Sequence, residues 1–259
     1  MRKRSVSRRA AAVALVALIG LGTTAAPASA NVAGFSDVKG GEYYAAAVAW
    51  MQGQGLTTGV GGTGQYQPAG VVTRGQMVTF LWRLAGQPGG QPAHGFSDVP
   101  SGAYYEKAVR WAKATGLTTG LGGTNRFAPN DPVSRAQMAA FLFRFEDPAG
   151  SWPAHGFADV PAGSYYDTAV RWLKRSGITT GVSAGRYAPH EPVDRGQMAA
   201  FIWRLEGKPA PPNPGNTRDC RHFATQRDAQ QWFDLYYPYY GDVAWLDANN
   251  DRVPCEALP

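Results

Sequence analysis

The chain has 259 residues, with 25 Lys+Arg against 19 Asp+Glu, two Cys and four His, for a formal charge of +6. Five of the basic residues and none of the acidic ones lie in residues 1–30, so the remainder holds 20 basic against 19 acidic, a balance of +1. A near-neutral body gives no reason to expect nucleic acid as a partner, and two cysteines with four scattered histidines exclude a zinc site of ordinary spacing.

Residues 1–30 read as a secretory signal. Arg2, Lys3, Arg4, Arg8 and Arg9 precede the apolar run "AAAVALVALIGLG", and Ala28-Ser29-Ala30 supplies a small-x-small cleavage site. The run is too short to remain as a membrane anchor. The expectation is a secreted protein with no transmembrane anchor after cleavage. Arg8-Arg9 leaves a twin-arginine route open.

One unit then occurs three times. "FSDVKGGEYYAAAVAWMQGQGLTTG", "FSDVPSGAYYEKAVRWAKATGLTTG" and "FADVPAGSYYDTAVRWLKRSGITTG" begin at Phe35, Phe96 and Phe157, 61 positions apart each time. Each copy continues with an aromatic-x-Pro turn and a second periodic segment. Tyr105, Ala108, Val109 and Ala112 make one apolar helical stripe that ends at Gly116, and Met138, Phe141, Leu142 and Phe145 make another. Asp98, just before the first of these helices, is expected to satisfy its free amides. The second helix of each unit opens with a capping pair: Thr73 and Gln76, Ser134 and Gln137, Asp194 and Gln197. Trp50, Trp82, Trp111, Trp172 and Trp203 fall at helix-packing positions, and at least one tyrosine of Tyr43-Tyr44, Tyr104-Tyr105 and Tyr165-Tyr166 is expected in the core. Two short helices bury little alone. The expectation is therefore a mainly α body over residues 31–206, three helix-turn-helix repeats (31–90, 91–151, 152–206) folded with pseudo-threefold symmetry.

The order Phe-x-Asp-Val, paired aromatics, Gly-Leu-Thr-Thr-Gly, aromatic-x-Pro and Thr-Arg-x-Gln resembles the S-layer homology repeat. The resemblance implies a three-pronged helical scaffold whose grooves hold anionic cell-wall polysaccharide. It assigns polymer contact to Arg74, Arg135 and Arg195, which match the arginine of the family's Thr-Arg-Ala-Glu signature. Gln replaces its Glu at Gln76, Gln137 and Gln197, which leaves the glycan's chemistry open. An equal alternative is that each arginine pairs with Asp37, Asp98 or Asp159 to staple its own repeat.

Two enzyme-like motifs fail on context. "GVGGTG" at Gly59–Gly64 follows a helix where a dinucleotide loop follows a strand. Ser183 of "GVSAG" aligns with Gly61 and Gly122 of the sister repeats, so it occupies a turn. The reading is a non-catalytic protein.

"EGKPAPPNPGNT" then supplies a Pro-rich linker at 207–217, followed by a module at 218–259. In the module, "TQRDAQQWFDLYY" predicts a helix capped by Thr225 that buries Ala229, Trp232, Phe233 and Tyr236. Outside the cytoplasm Cys220 and Cys255 are most simply a disulfide, the alternative being two free thiols. Asp247, Asn249 and Asp251 place oxygens on alternate residues, to which Val253 adds a carbonyl and Glu256 a carboxylate, a pattern able to wrap a hard cation. This segment resembles the Excalibur domain, which implies a disulfide-linked calcium-loop module with Ca2+ as the cofactor. Asn249 and Arg252 stand where that family has Asp and Gly, and both changes weaken the implied site. The combined expectation is a cell-envelope protein that binds wall polysaccharide and calcium. The alternatives are a surface protein–protein interaction module without glycan binding, and a wall hydrolase.

Overall fold

A computed structural model of the protein describes residues 31–259; the signal segment expected at 1–30 lies outside the described residues. Strands β1 (Asn31–Val32) and β2 (Phe35–Lys39) form a short antiparallel pair, with Val32 opposite Phe35 and Asn31 opposite Lys39. Six helices follow in three pairs: α1 (Ala45–Gly53) and α2 (Arg74–Leu84), α3 (Glu106–Ala114) and α4 (Arg135–Glu146), α5 (Asp167–Arg175) and α6 (Arg195–Leu205). A 3₁₀ turn at Cys220–His222 and α7 (Gln226–Tyr240) complete the chain.

The helix pairs do not close on themselves. α2 packs on α3, α4 on α5, and α6 returns to α1. At the centre three extended residues, all fully buried, form a cycle of backbone bonds. The amide of Val72 donates to the carbonyl of Val193, that of Val193 to Val133, and that of Val133 to Val72, each at 2.9 Å. This cycle is the pseudo-threefold axis, and the single core cluster surrounds it. The valines suit the place because a β-branched side chain fits a short extended segment. Buried amides must find partners, and here each repeat supplies the partner of another.

Helix entry differs from expectation at two places. α2 and α4 carry complete capping boxes, but α6 has only half of one: Asp194 accepts from the amide of Gln197 at 2.7 Å, while the Gln197 side chain turns to Arg135. Asp98 does not cap α3. Its carboxylate reaches across its own repeat to the amides of Phe127 and Ala128, and Glu106 Oε2 takes the amide of Gly102 instead. Trp50, Trp111 and Trp172 are buried; Trp82 and Trp203 are half-buried and donate their indole N–H to the carbonyls of Pro88 and Pro209.

The C-terminal module is docked on the first repeat. Gln231 of α7 lies against Gly40 and Gly41; a Cβ on Gly40 would sit 2.4 Å from the Gln231 carbonyl oxygen. The sister repeats have Ser101 and Ala162 at that position. Pro212 of the Pro-rich segment packs on Gly53, and the Tyr240 hydroxyl donates to the Pro211 carbonyl at 2.5 Å. Thr225 caps α7 by accepting from the amide of Asp228, and Ala229, Trp232, Phe233 and Tyr236 are buried. Cys220 and Cys255 form a disulfide with Cα atoms 5.4 Å apart, which closes a loop worth about 3–4 kcal/mol in the chain-entropy model.

Candidate functional site: three clefts between repeats

Each cleft begins with a strained turn. Gln67, Ala128 and Ala188, the middle residues of the three aromatic-x-Pro turns, have φ of +56°, +54° and +59°. A non-glycine residue in the left-handed region costs about 1–2 kcal/mol. The carboxylates of Asp37, Asp98 and Asp159 offset that cost by accepting two amides each. Asp37 takes those of Tyr66 and Gln67, Asp98 those of Phe127 and Ala128, and Asp159 those of Tyr187 and Ala188, at 2.7–2.8 Å. Burial alone would raise Asp98 and Asp159; these amide bonds overcome it and hold both carboxyls below the ordinary range.

The turn so held aims an aromatic carbonyl at the arginine of a neighbouring repeat. Arg74 Nε donates to the Phe127 carbonyl at 2.7 Å, Arg135 Nε to Tyr187 at 2.7 Å, and Arg195 Nε to Tyr66 at 2.6 Å. Each guanidinium also lies over two rings of that neighbour. The nearer are Phe127, Tyr187 and Tyr66, at 4.9, 4.8 and 4.6 Å from the ring centroids. The farther are Phe141, Phe201 and Phe80, at 5.7, 5.4 and 5.7 Å. The hydroxyls of Tyr66 and Tyr187 donate back to the carbonyls of Arg195 and Arg135 at 2.9 Å; Phe127 lacks that group. The three arginines are 4–5% exposed. Burial lowers their pKa values, although Arg remains a cation throughout the physiological range.

The proposed pairing of each arginine with Asp37, Asp98 or Asp159 of its own repeat is therefore corrected. The arginines bond across the clefts, and the aspartates bond backbone within their own repeats. The first-turn amides of α2, α4 and α6 are occupied in the same way. Those of Arg74 and Gly75 donate to Asp131 and Pro129, those of Arg135 and Ala136 to Glu191 and Pro189, and those of Arg195 and Gly196 to Gly70 and Pro68. Carbonyls of the next repeat thus neutralise the positive helix ends.

Solvent hardly reaches these three guanidiniums, so they act on the clefts as charges beneath the surface and not as direct contacts. Arg195 Nη2 is fully buried without a hydrogen-bond partner, and Arg135 Nη1 has only a long contact, 3.4 Å, with Gln197 Oε1. Tyr43, Tyr104 and Tyr165 are 58–65% exposed, each edge-on to its partner Tyr44, Tyr105 or Tyr166. Tyr104 lies near the α2 cap Thr73, Tyr165 near the α4 cap Ser134 and Tyr43 near the α6 cap Asp194. An exposed aromatic ring thus stands beside each arginine-bearing helix start.

The C-terminal loop gathers part of its expected oxygen set. The carboxylate of buried Asp247 accepts the amides of Asp251 and Arg252 at 3.2 and 2.8 Å. The Asn249 side-chain amide donates to Asp251 Oδ2 at 3.0 Å and to Glu256 Oε2 at 3.3 Å, so these three side chains converge. Asp251 Oδ1 accepts the amide of Val253. Arg252 has φ +70°, the conformation that favours glycine, and its guanidinium lies 5.1 Å over the Tyr237 ring. Among the described residues no group of three or more His, Cys, Asp or Glu is arranged to hold a metal ion. The Asn249 N–H2 group thus fills the space between the Asp251 and Glu256 carboxylates, and both Asp247 oxygens are taken by backbone amides.

The family model for the S-layer homology domain matches residues 34–78, 95–139 and 156–199, just over half of the chain. The chain is similar to an S-layer protein of Bacillus thuringiensis subsp. finitimus, 24% identical over 70% of this chain and 22% of that protein. It is also similar to a cell surface protein of Thermoanaerobacter kivui, 36% identical over 42% of this chain and 15% of that protein. An amylopullulanase of Thermoanaerobacterium thermosulfurigenes is 27% identical over 54% of this chain and 8% of that protein. The chain thus spans less than a quarter of the length of these relatives.

Proposed function

The chain belongs to the S-layer homology family, and from that premise we propose that it is a non-catalytic anchor whose three clefts bind cell-wall polysaccharide. The family makes it a cell-surface protein that anchors to the cell wall, and the repeat is an anchoring module rather than a catalytic one. No helix among the described residues is long and apolar enough to cross a membrane. Similarity to the amylopullulanase covers 8% of that protein. Such a small shared part fits an attachment segment better than a reaction centre.

One observation supports the reading most: Tyr43, Tyr104 and Tyr165 are 58–65% exposed, one near the cap of each arginine-bearing helix. Arg74, Arg135 and Arg195 supply fixed positive charge at the cleft floors, and Tyr43, Tyr104 and Tyr165 supply flat faces for sugar rings. Retention of residues 31–259 on protease-treated purified walls tests this. Combined Tyr104→Ala and Tyr165→Ala replacement should reduce retention at least tenfold while circular dichroism shows the fold retained. Undiminished retention sinks the reading, and loss of retention on protease treatment of the walls would assign a protein receptor instead.

The terminal module is read as an Excalibur-like calcium site in which Asn249, Asp251 and Glu256 hold the ion, with Asp247 and the Val253 carbonyl completing the set. The ion's role there is structural, tying the last turn to the disulfide. Trp245, 81% exposed and two residues from Asp247, reports on the loop. Its fluorescence should change with calcium at about 10⁻⁴–10⁻³ M, and Glu256→Gln should abolish the change. A flat titration to 10 mM refutes the site.

A further inference from the structure

The three clefts are not equivalent. Those opened by Thr73 and Ser134 have neutral caps, whereas the third, between α6 and α1, opens on the carboxylate of Asp194. Burial, and next the Asp194 charge, push the Tyr43 hydroxyl up to about 12, so the ring stands at that acidic mouth. Tyr43 also lines an open depression of about 370 Å³ where α7 meets the first repeat. The rest of its wall is Gly40, Gly41, Glu42 and Ala46 from the repeat and Asp234, Leu235, Pro238 and Tyr239 from α7. No Lys, Arg or His is among these residues. The second repeat has Ser101 at the position of Gly40 and the third has Ala162, and only the first repeat receives α7.

We propose that this depression is a carbohydrate subsite for a neutral sugar residue, sharing Tyr43 with the mouth of the cleft between α6 and α1 and built jointly by the first repeat and the C-terminal module. Tyr43 and Tyr239 are 58% and 38% exposed, and they give the apolar faces on which a pyranose stacks. Glu42 and Asp234 supply acceptors for its hydroxyls. The volume lies within the range of small-ligand sites. The wall holds two carboxylates and no cation, which opposes a phosphate, pyruvate or uronate group; Arg204 and Arg135 act on Tyr43 only from outside the wall. The anionic polymer read by the arginine clefts and the sugar read here are therefore different chemical classes. The proposal rests on the wall-glycan reading and adds a second specificity to it.

The test uses residues 31–259 and oligosaccharides released enzymatically from purified walls, split by anion exchange into neutral and anionic pools. Saturation-transfer NMR should show sugar signals from the neutral pool on the wild-type protein. Tyr239→Ala should lower them at least fivefold, while Val182→Ala, at an exposed position of the third repeat, leaves them unchanged. Asp234→Asn, on the exposed side of α7, should lower them as well with the fold retained. Equal signals from Tyr239→Ala and wild type, or none from the wild type, overturn the subsite. Neutral-pool binding that persists in a protein not retained by intact walls supports the subsite and counts against the anchoring reading alone.

Discussion

Replacing Arg135 by alanine should destabilise the whole body. The lost interactions are a charge-assisted hydrogen bond of 2.7 Å to the Tyr187 carbonyl and contacts with the rings of Tyr187 and Phe201. A buried hydrogen bond from a charged donor contributes about 1.5–3 kcal/mol, and each cation–ring contact about 0.5–1 kcal/mol. Removal also leaves a carbonyl and a cavity in a region only 4% exposed. The expected loss is roughly 3–5 kcal/mol, a large part of the usual stability of a domain. Urea unfolding of residues 31–259, followed by circular dichroism, measures it. Arg135→Lys should recover less than half, since an ammonium cannot both reach the carbonyl and lie flat between two rings. A loss below 1 kcal/mol for Arg135→Ala would refute the argument that this side chain locks two repeats together.

Three further outcomes follow from the same geometry. Phe127→Tyr should stabilise the protein by about 0.5–1.5 kcal/mol, because the Tyr66 and Tyr187 hydroxyls make the corresponding bond at 2.9 Å; urea midpoints decide it. Gly40→Ala should loosen the C-terminal module by about 1–3 kcal/mol, read as faster proteolysis of the 207–217 segment, while Ala162→Gly should not. Stability should fall as pH falls, in two stages. His94 is lowered, first by burial and then by Arg110, and it accepts the amide of Phe96; its contribution is complete above about pH 6.5 and is lost as pH drops through its folded value. Asp98 and Asp159 are also lowered, so theirs is present above about pH 3.9 and lost further down. A pH series of urea unfolding should show both stages, and Asp98→Asn should shrink the acid one.

The helices, their order and the three equivalent arginines were legible because residues 61 positions apart repeat the same pattern. That pattern says which residues are equivalent, not which neighbour each one faces. Arg195 meets Tyr66 across 129 positions, and no local period records such a pairing. Asp98 was misassigned for a related reason. Its place before α3 suggests a cap, whereas the strained Ala128 turn makes the stronger demand on its carboxylate. The docking of α7 left one trace, glycine at 40 where the sister repeats have side chains, and that difference gains meaning only once Gln231 is seen beside it. The C-terminal loop shows the opposite balance: its alternate oxygens were plain in the sequence, but the inward turn of the Asn249 amide depends on rotamers.

The valine cycle has a consequence for how such a body can change over generations. In an open array a unit can be gained or lost at either end, and the remainder keeps its contacts. Here no repeat is an end: deleting one leaves an amide, a carbonyl, an arginine and an aromatic turn without counterparts, and inserting a fourth must widen every angle about the axis. Copies can therefore differ individually, as they do at Phe127, Asp194 and Gly40, while the ring holds their number at three.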